Sequence, residues 1–132
     1  MSVAALSISQ LQTPKLIQNI LVVDDNPDIL TFLDLGLSDH WNVFQASDGV
    51  YVQKMMQRHD IDLVILDILM PRQEGLETLM QLRSRYAHVP VIMISVDDYY
   101  LNLSLEFGAH FIHNKPIDLS LLTRQIIQIQ NS

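Results

Sequence analysis

Three aspartates, a serine and a lysine stand at or just beyond the ends of short apolar runs. Ile20-Leu21-Val22-Val23 leads into Asp24-Asp25, Leu63-Val64-Ile65-Leu66 into Asp67, and Val91-Ile92-Met93-Ile94 into Ser95. Phe111-Ile112 runs toward Lys115-Pro116. Three carboxylates brought together repel one another, and each then favours its neutral form. A hard divalent cation removes that conflict. Mg²⁺ suits oxygen donors, retains several waters, and is commonly held by one or two carboxylates plus a phosphate oxygen. Asp25 and Asp67 are predicted as direct ligands, with Asp24 contributing mainly through water. Asp67 ends the central run and is the natural nucleophile, since a carboxylate can attack phosphorus to form an aspartyl-phosphate. Lys115 would bring a compact positive charge to a phosphate oxygen, and Ser95 a neutral hydroxyl donor. Phosphoryl transfer asks mostly for positioning and charge neutralisation, which this set supplies.

The elements that must position these groups alternate in period. The apolar runs read as strands over Ile20–Asp24, Asn42–Ala46, Asp62–Asp67, Pro90–Ser95 and His110–His113. Continuous Val/Ile/Leu runs are the mark of parallel strands buried on both faces. Between them lie helical patterns. One follows Asn26-Pro27 and presents Ile29, Phe32, Leu33 and Leu37 to the core. A second follows Ser47-Asp48-Gly49 with Val52, Met55 and Met56. A third follows Gly75 with Leu76, Leu79, Met80 and Leu82. A fourth covers Tyr99–Phe107 and ends at Gly108. A fifth, capped by Asp118 or Ser120, carries Leu119, Leu122, Ile126 and Ile129. Five strand–helix units imply an α/β fold with a parallel sheet and right-handed crossovers. Ligands of such sheets bind beyond the carboxyl ends of the strands. Pro116, directly after Lys115, is a candidate cis proline.

Composition bounds the rest. The chain has 132 residues, 48% apolar and 17% charged, the size and balance of one globular domain. Residues 1–19, rich in Ser, Gln and small apolar side chains, read as an N-terminal extension, and 20–130 as the domain. With no Cys, disulfides, thiol nucleophiles and thiolate metal sites are excluded, which fits a cytoplasmic setting. A net charge of -7 without a basic patch argues against direct nucleic-acid binding. No apolar run is long enough to cross a bilayer, and the first basic residue is Lys15, unlike a signal peptide.

Taken together, Leu21-Val22-Val23-Asp24-Asp25, Asp67-Ile68-Leu69-Met70-Pro71 with Gly75, Ser95 after an apolar strand, Gly108-Ala109 and Lys115-Pro116 resemble the receiver domain of two-component response regulators. The resemblance covers Ile20 to Gln130. It implies a flavodoxin-like doubly wound sheet of order 2-1-3-4-5 with five helices. It also implies Asp67 as acceptor of a phosphoryl group from a histidine kinase or phosphotransfer protein, and Mg²⁺ held by Asp25, Asp67 and the Leu69 carbonyl. Such a domain is a phosphoacceptor rather than a dedicated enzyme, and signals through a downstream protein or output domain. The chain departs from the family pattern in three places. Ile112, three before Lys115, stands where Tyr or Phe is usual. Val96 follows Ser95 in place of Ala or Gly. The Ser95-to-Gly108 interval is short.

Rival readings have their own signals. Ile112 and Val96 favour a phosphate-independent adaptor on the same fold. An aspartate-nucleophile phosphatase would carry a second acid two residues after the nucleophile, where this chain has Leu69. A flavodoxin-like cofactor binder would need a Gly- or Ser/Thr-rich phosphate loop after the first strand. His110 and His113 read as ordinary strand or rim residues, since Mg²⁺ prefers oxygen. Tyr99, Tyr100, Leu101, Leu103, Leu105 and Phe107 are too many apolar groups for one buried helix face, and Leu121 and Ile127 lie off the last helix's core stripe. They suggest a partner or homodimer face on the fourth helix, fifth strand and fifth helix.

Overall fold

The computed structural model describes residues 16–132. Five parallel strands form one sheet: β1 (Asn19–Val23), β2 (Asn42–Ala46), β3 (Leu63–Asp67), β4 (Val91–Ser95) and β5 (Phe111–Asn114), in the order β2-β1-β3-β4-β5. Between and after them run α1 (Pro27–Leu37), α2 (Val52–Arg58), α3 (Gly75–Arg85), α4 (Asp98–Glu106) and α5 (Leu119–Gln130), with a short 3₁₀ turn at Gly49–Tyr51 before α2. The reading of residues 1–15 as part of an extension lies outside the described residues. The chain joins the sheet one residue earlier than expected, at Asn19, where Asp62 Oδ2 accepts from the Gln18 and Asn19 amides, both at 2.9 Å.

The strands bury alternate side chains in two separate layers. Leu21, Val23, Val64, Leu66, Val91 and Met93 pack under α2, α3 and α4 against Val52, Met56, Leu76, Leu79, Leu82 and Leu101. Ile20, Val22, Leu63, Ile65, Ile92 and Ile94 pack under α1 and α5 against Leu30, Leu33, Leu37, Leu122 and Ile126. A strand covered on both faces has no polar side to show, which is why β1, β3 and β4 read as unbroken apolar runs.

Two helices start where the sequence proposed caps: Asn26 accepts from the Asp28 amide with Pro27 in the first turn, and Asp118, rather than Ser120, accepts from Leu121. At α4 the cap is Asp97, which the sequence did not mark as one; it accepts from Tyr99 and Tyr100. Gly108 ends the turn after α4 at φ +100, a backbone region that favours glycine. Two core assignments change. Leu30, not Phe32, joins Leu33 and Leu37 beneath α1, and Phe32 is 45% exposed. On α3, Thr78 is buried and Met80 faces out. In both helices the residue two positions before the expected one falls on the core-facing stripe.

Candidate functional site

The carboxyl ends of β1, β3, β4 and β5 meet at one rim. Parallel register places Val23 opposite Leu66 and Asp67 opposite Ile94, so the residues just beyond converge. Asp24, Asp25 and Asp67 each offer a carboxylate oxygen within 4.8 Å of the others. Asp24 and Asp67 are buried and Asp25 is exposed. Lys115 reaches in from beyond β5, its Nζ 2.9 Å from Asp24 Oδ2 and 3.3 Å from Asp67 Oδ1. Its backbone amide donates to the Ser95 carbonyl at 2.9 Å, continuing the β4–β5 ladder past the strand. The Lys115–Pro116 peptide bond is cis, as the sequence suggested.

Charge is unbalanced here: three carboxyl groups face one ammonium. Burial first, and the Asp24 charge second, push the Asp67 carboxyl up from 3.8 to about 6, against the attraction of Lys115. Burial acts to lower Lys115, but Asp24 and Asp67 outweigh it and hold the ammonium above its ordinary value. Asp24 Oδ1 accepts from the Asn26 amide at 2.9 Å. Its Oδ2 is buried and, apart from the Lys115 ion pair, takes no hydrogen bond. Clustered oxygen donors with surplus negative charge and an under-satisfied buried oxygen fit a hard cation such as Mg²⁺. Ser95 is buried, and its Oγ accepts from the Asp97 amide at 3.1 Å. A hydroxyl that accepts in this way keeps its own proton free to donate.

The turn from β3 into α3 is built around a close approach. A Cβ on Gly75 would sit 2.3 Å from the Asp67 carbonyl oxygen and 2.6 Å from Ile68 Cα, and the Gly75 amide donates to the Ile68 carbonyl at 2.6 Å. Only glycine lets α3 begin against the backbone that carries Asp67. Asp48 secures the same loop from β2's side. Buried, it accepts from the amides of Val50, Arg72 and Gln73, each at 3.1 Å. Burial alone would raise its carboxyl, yet these three donors hold it below the ordinary value. The sequence marked Asp48 only as turn and cap. Its reach to Arg72 and Gln73, 24 and 25 residues on, carries no local signal.

His110 is exposed, as expected of a rim residue. His113 is not: it is 1% exposed beneath α5. Ile112 packs with the α2–α4 layer and Phe111 with the α1–α5 layer, so the one aromatic on β5 points away from the layer Ile112 joins. Leu69 and Val96 are exposed close in sequence to Asp67 and Ser95. A cavity of about 550 Å³ lies at the opposite end of the sheet, beside Asp62, Pro90 and His110, and is lined by none of the rim groups.

A five-stranded doubly wound sheet with an acid cluster and a lysine at its carboxyl rim defines a class, and comparison with known proteins agrees. Residues 20–127 match the family described as response regulator receiver domain, and the chain belongs to that family. It is 35% identical over 102 residues to the alkaline phosphatase synthesis transcriptional regulatory protein PhoP of Bacillus subtilis, covering 75% of this chain and 42% of that one. It is also 35% identical over 126 residues to the CAI-1 autoinducer sensor kinase/phosphatase CqsS of Vibrio cholerae, covering 91% of this chain and 18% of that one. The chain thus spans less than half the length of either relative. Among solved structures, a response regulator receiver domain from Clostridium thermocellum superposes with a TM-score of 0.80 at 28% identity, covering 86% of this chain and 94% of that one.

Proposed function

We propose that this receiver domain, residues 20–130, accepts a phosphoryl group on Asp67 from a phosphohistidine donor and passes the signal on through protein contacts. The observation that carries the reading is the placement of Lys115 between Asp24 and Asp67 within a three-carboxylate cluster. Asp25, Asp67 and the Leu69 carbonyl would hold Mg²⁺, with Asp24 contributing through water, and the ion would supply charge neutralisation for attacker and phosphoryl group. An Asp67 carboxylate oxygen attacks phosphorus, and the bond from phosphorus to the donor imidazole nitrogen breaks. The electron pair leaves with the imidazole, which takes up a proton from solvent. Lys115 Nζ donates to an oxygen of the transferred group and Ser95 Oγ donates to another. The transfer replaces the Lys115–Asp67 ion pair with a Lys115–phosphate contact.

Partners on this reading are a histidine kinase or phosphotransfer protein upstream, and an output domain or separate protein downstream. A homodimer through α4, β5 and α5 is the natural use of exposed Tyr99, Leu105, Phe107, Leu121 and Ile127. The test is incubation with phosphoramidate, a small P–N donor, in Mg²⁺. An alkali-labile phosphoryl group that maps to the peptide containing Asp67, absent in Asp67→Asn, supports the reading. Labelling that survives Asp67→Asn contradicts it.

A second reading has one observation in its favour. With Ile112 in the α2–α4 layer and Phe111 in the α1–α5 layer, β5 lacks an aromatic that could turn toward Ser95. A phosphate-independent adaptor needs no such residue. Partner binding unaltered by Asp67→Asn would favour it.

A further inference from the structure

We propose that His113 is a positioning residue for Lys115, acting through a buried hydrogen-bonded bridge to α5. The inference rests on the role proposed above for Lys115. His113 lies two residues before Lys115, with its ring buried under α5. Its Nε2 accepts from the Asp118 amide at 3.0 Å, and its Nδ1 is 3.1 Å from Gln125 Oε1. Gln125 Nε2 donates to the Ile112 carbonyl at 3.1 Å.

This chain of contacts allows only one assignment of protons. A backbone carbonyl only accepts, so the Gln125 nitrogen faces Ile112 and its oxygen faces the imidazole. That oxygen only accepts, so Nδ1 carries the ring proton. Nε2 then has the lone pair that the Asp118 amide requires. Each ring nitrogen then has one partner and one role.

The geometry gives the bridge its purpose. One residue after His113, past Asn114, the chain leaves the sheet, passes through Lys115, and enters α5 at Leu119 under the Asp118 cap. The ring therefore ties the start of this excursion to its end and closes a loop that contains Lys115. On the strand side, the Lys115 amide is already held by the Ser95 carbonyl. The surrounding layer, with Ile94, Leu122 and Ile126, is otherwise apolar. An aliphatic pair at positions 113 and 125 would fill such a layer without desolvating two polar side chains. What the polar pair adds is direction, because it fixes α5 and the Lys115 segment in one mutual arrangement.

The test uses three substitutions and a double variant. Gln places an amide oxygen near the position of Nε2, so His113→Gln retains an acceptor for Asp118, while His113→Leu has none. In the full chain, His113→Leu is expected to slow phosphorylation by a small acyl phosphate roughly tenfold, with His113→Gln restoring most of the rate. Lys115→Ala alone is expected to slow the reaction, and His113→Leu added to Lys115→Ala is expected to slow it no further. An equal loss in both backgrounds would mean a general structural role and overturn the proposal. So would a His113→Leu rate equal to wild type. Nitrogen chemical shifts of the wild-type ring give a check that needs no variant: a proton on Nδ1 is expected, and one on Nε2 would overturn the bridge. The wild-type control keeps the two claims apart, since failure of the wild type to take phosphate would refute the phosphoacceptor reading itself.

Discussion

Asp67 is held in a form it resists. Its carboxyl, raised from 3.8 to about 6, is penalised when ionised in the folded protein more than in the unfolded chain. The penalty is absent below about pH 4, where both states are protonated, grows between pH 4 and 6, and is complete above 6. Asp67→Asn removes it. Without Mg²⁺ at pH 7, thermal or urea unfolding is expected to show the variant more stable by roughly 1–3 kcal/mol, with the difference vanishing by about pH 4. Saturating Mg²⁺ should reverse the ranking, because a ligand of the folded wild type stabilises it. Leu69, exposed two residues beyond Asp67, has no group to orient an attacking water. Leu69→Asn is expected to speed loss of the phosphoryl group, measured as decay of the adduct after donor removal.

Single elements carry the geometry these residues need. The β3–α3 turn depends on Gly75, whose added Cβ would meet the Asp67 carbonyl oxygen at 2.3 Å. Gly75→Ala is expected to destabilise by about 1–3 kcal/mol in urea unfolding and to weaken Mg²⁺ binding, because the clash falls on the backbone of Asp67, the proposed phosphoacceptor. The elements were legible in the sequence because period and caps agree: Asn26-Pro27 opens α1, Asp118 opens α5, and the Leu63–Leu66 run is a strand buried on both faces. The rim residues were legible for the same reason, since each stands at or just beyond the end of such a run. The clamps were not. Asp48 reaches across to Arg72 and Gln73, and His113 to Gln125. Those pairings depend on how loops and layers close in space, and a buried polar pair has no periodic signature. Phe32 was expected in place of Leu30 because it lies three residues after Ile29, whereas the buried stripe runs Leu30, Leu33, Leu37 at spacings of three and four.

At the scale of the whole molecule, the two proposed tasks fall on separate surfaces. The acid cluster and Lys115 lie at the carboxyl rim, while α4, its C-cap and α5 present Tyr99, Leu105, Phe107, Leu121 and Ile127 to solvent. If this face serves self-association, Tyr99→Ala with Ile127→Asp should lower the association constant seen by sedimentation and leave phosphorylation by a small donor unchanged. Loss of phosphorylation together with association would show that the tasks are not separable. The chain's net charge is -7, and the proposed Mg²⁺ together with Lys115 would offset it locally for a compact acyl phosphate. The most direct measurement is therefore the intact mass of the protein after incubation with Mg²⁺ and acetyl phosphate, beside Asp67→Asn and a chelator control. One added phosphoryl group, on wild type alone and only with Mg²⁺, is the predicted result. A folded, Mg²⁺-binding wild type that gains no mass would contradict the account.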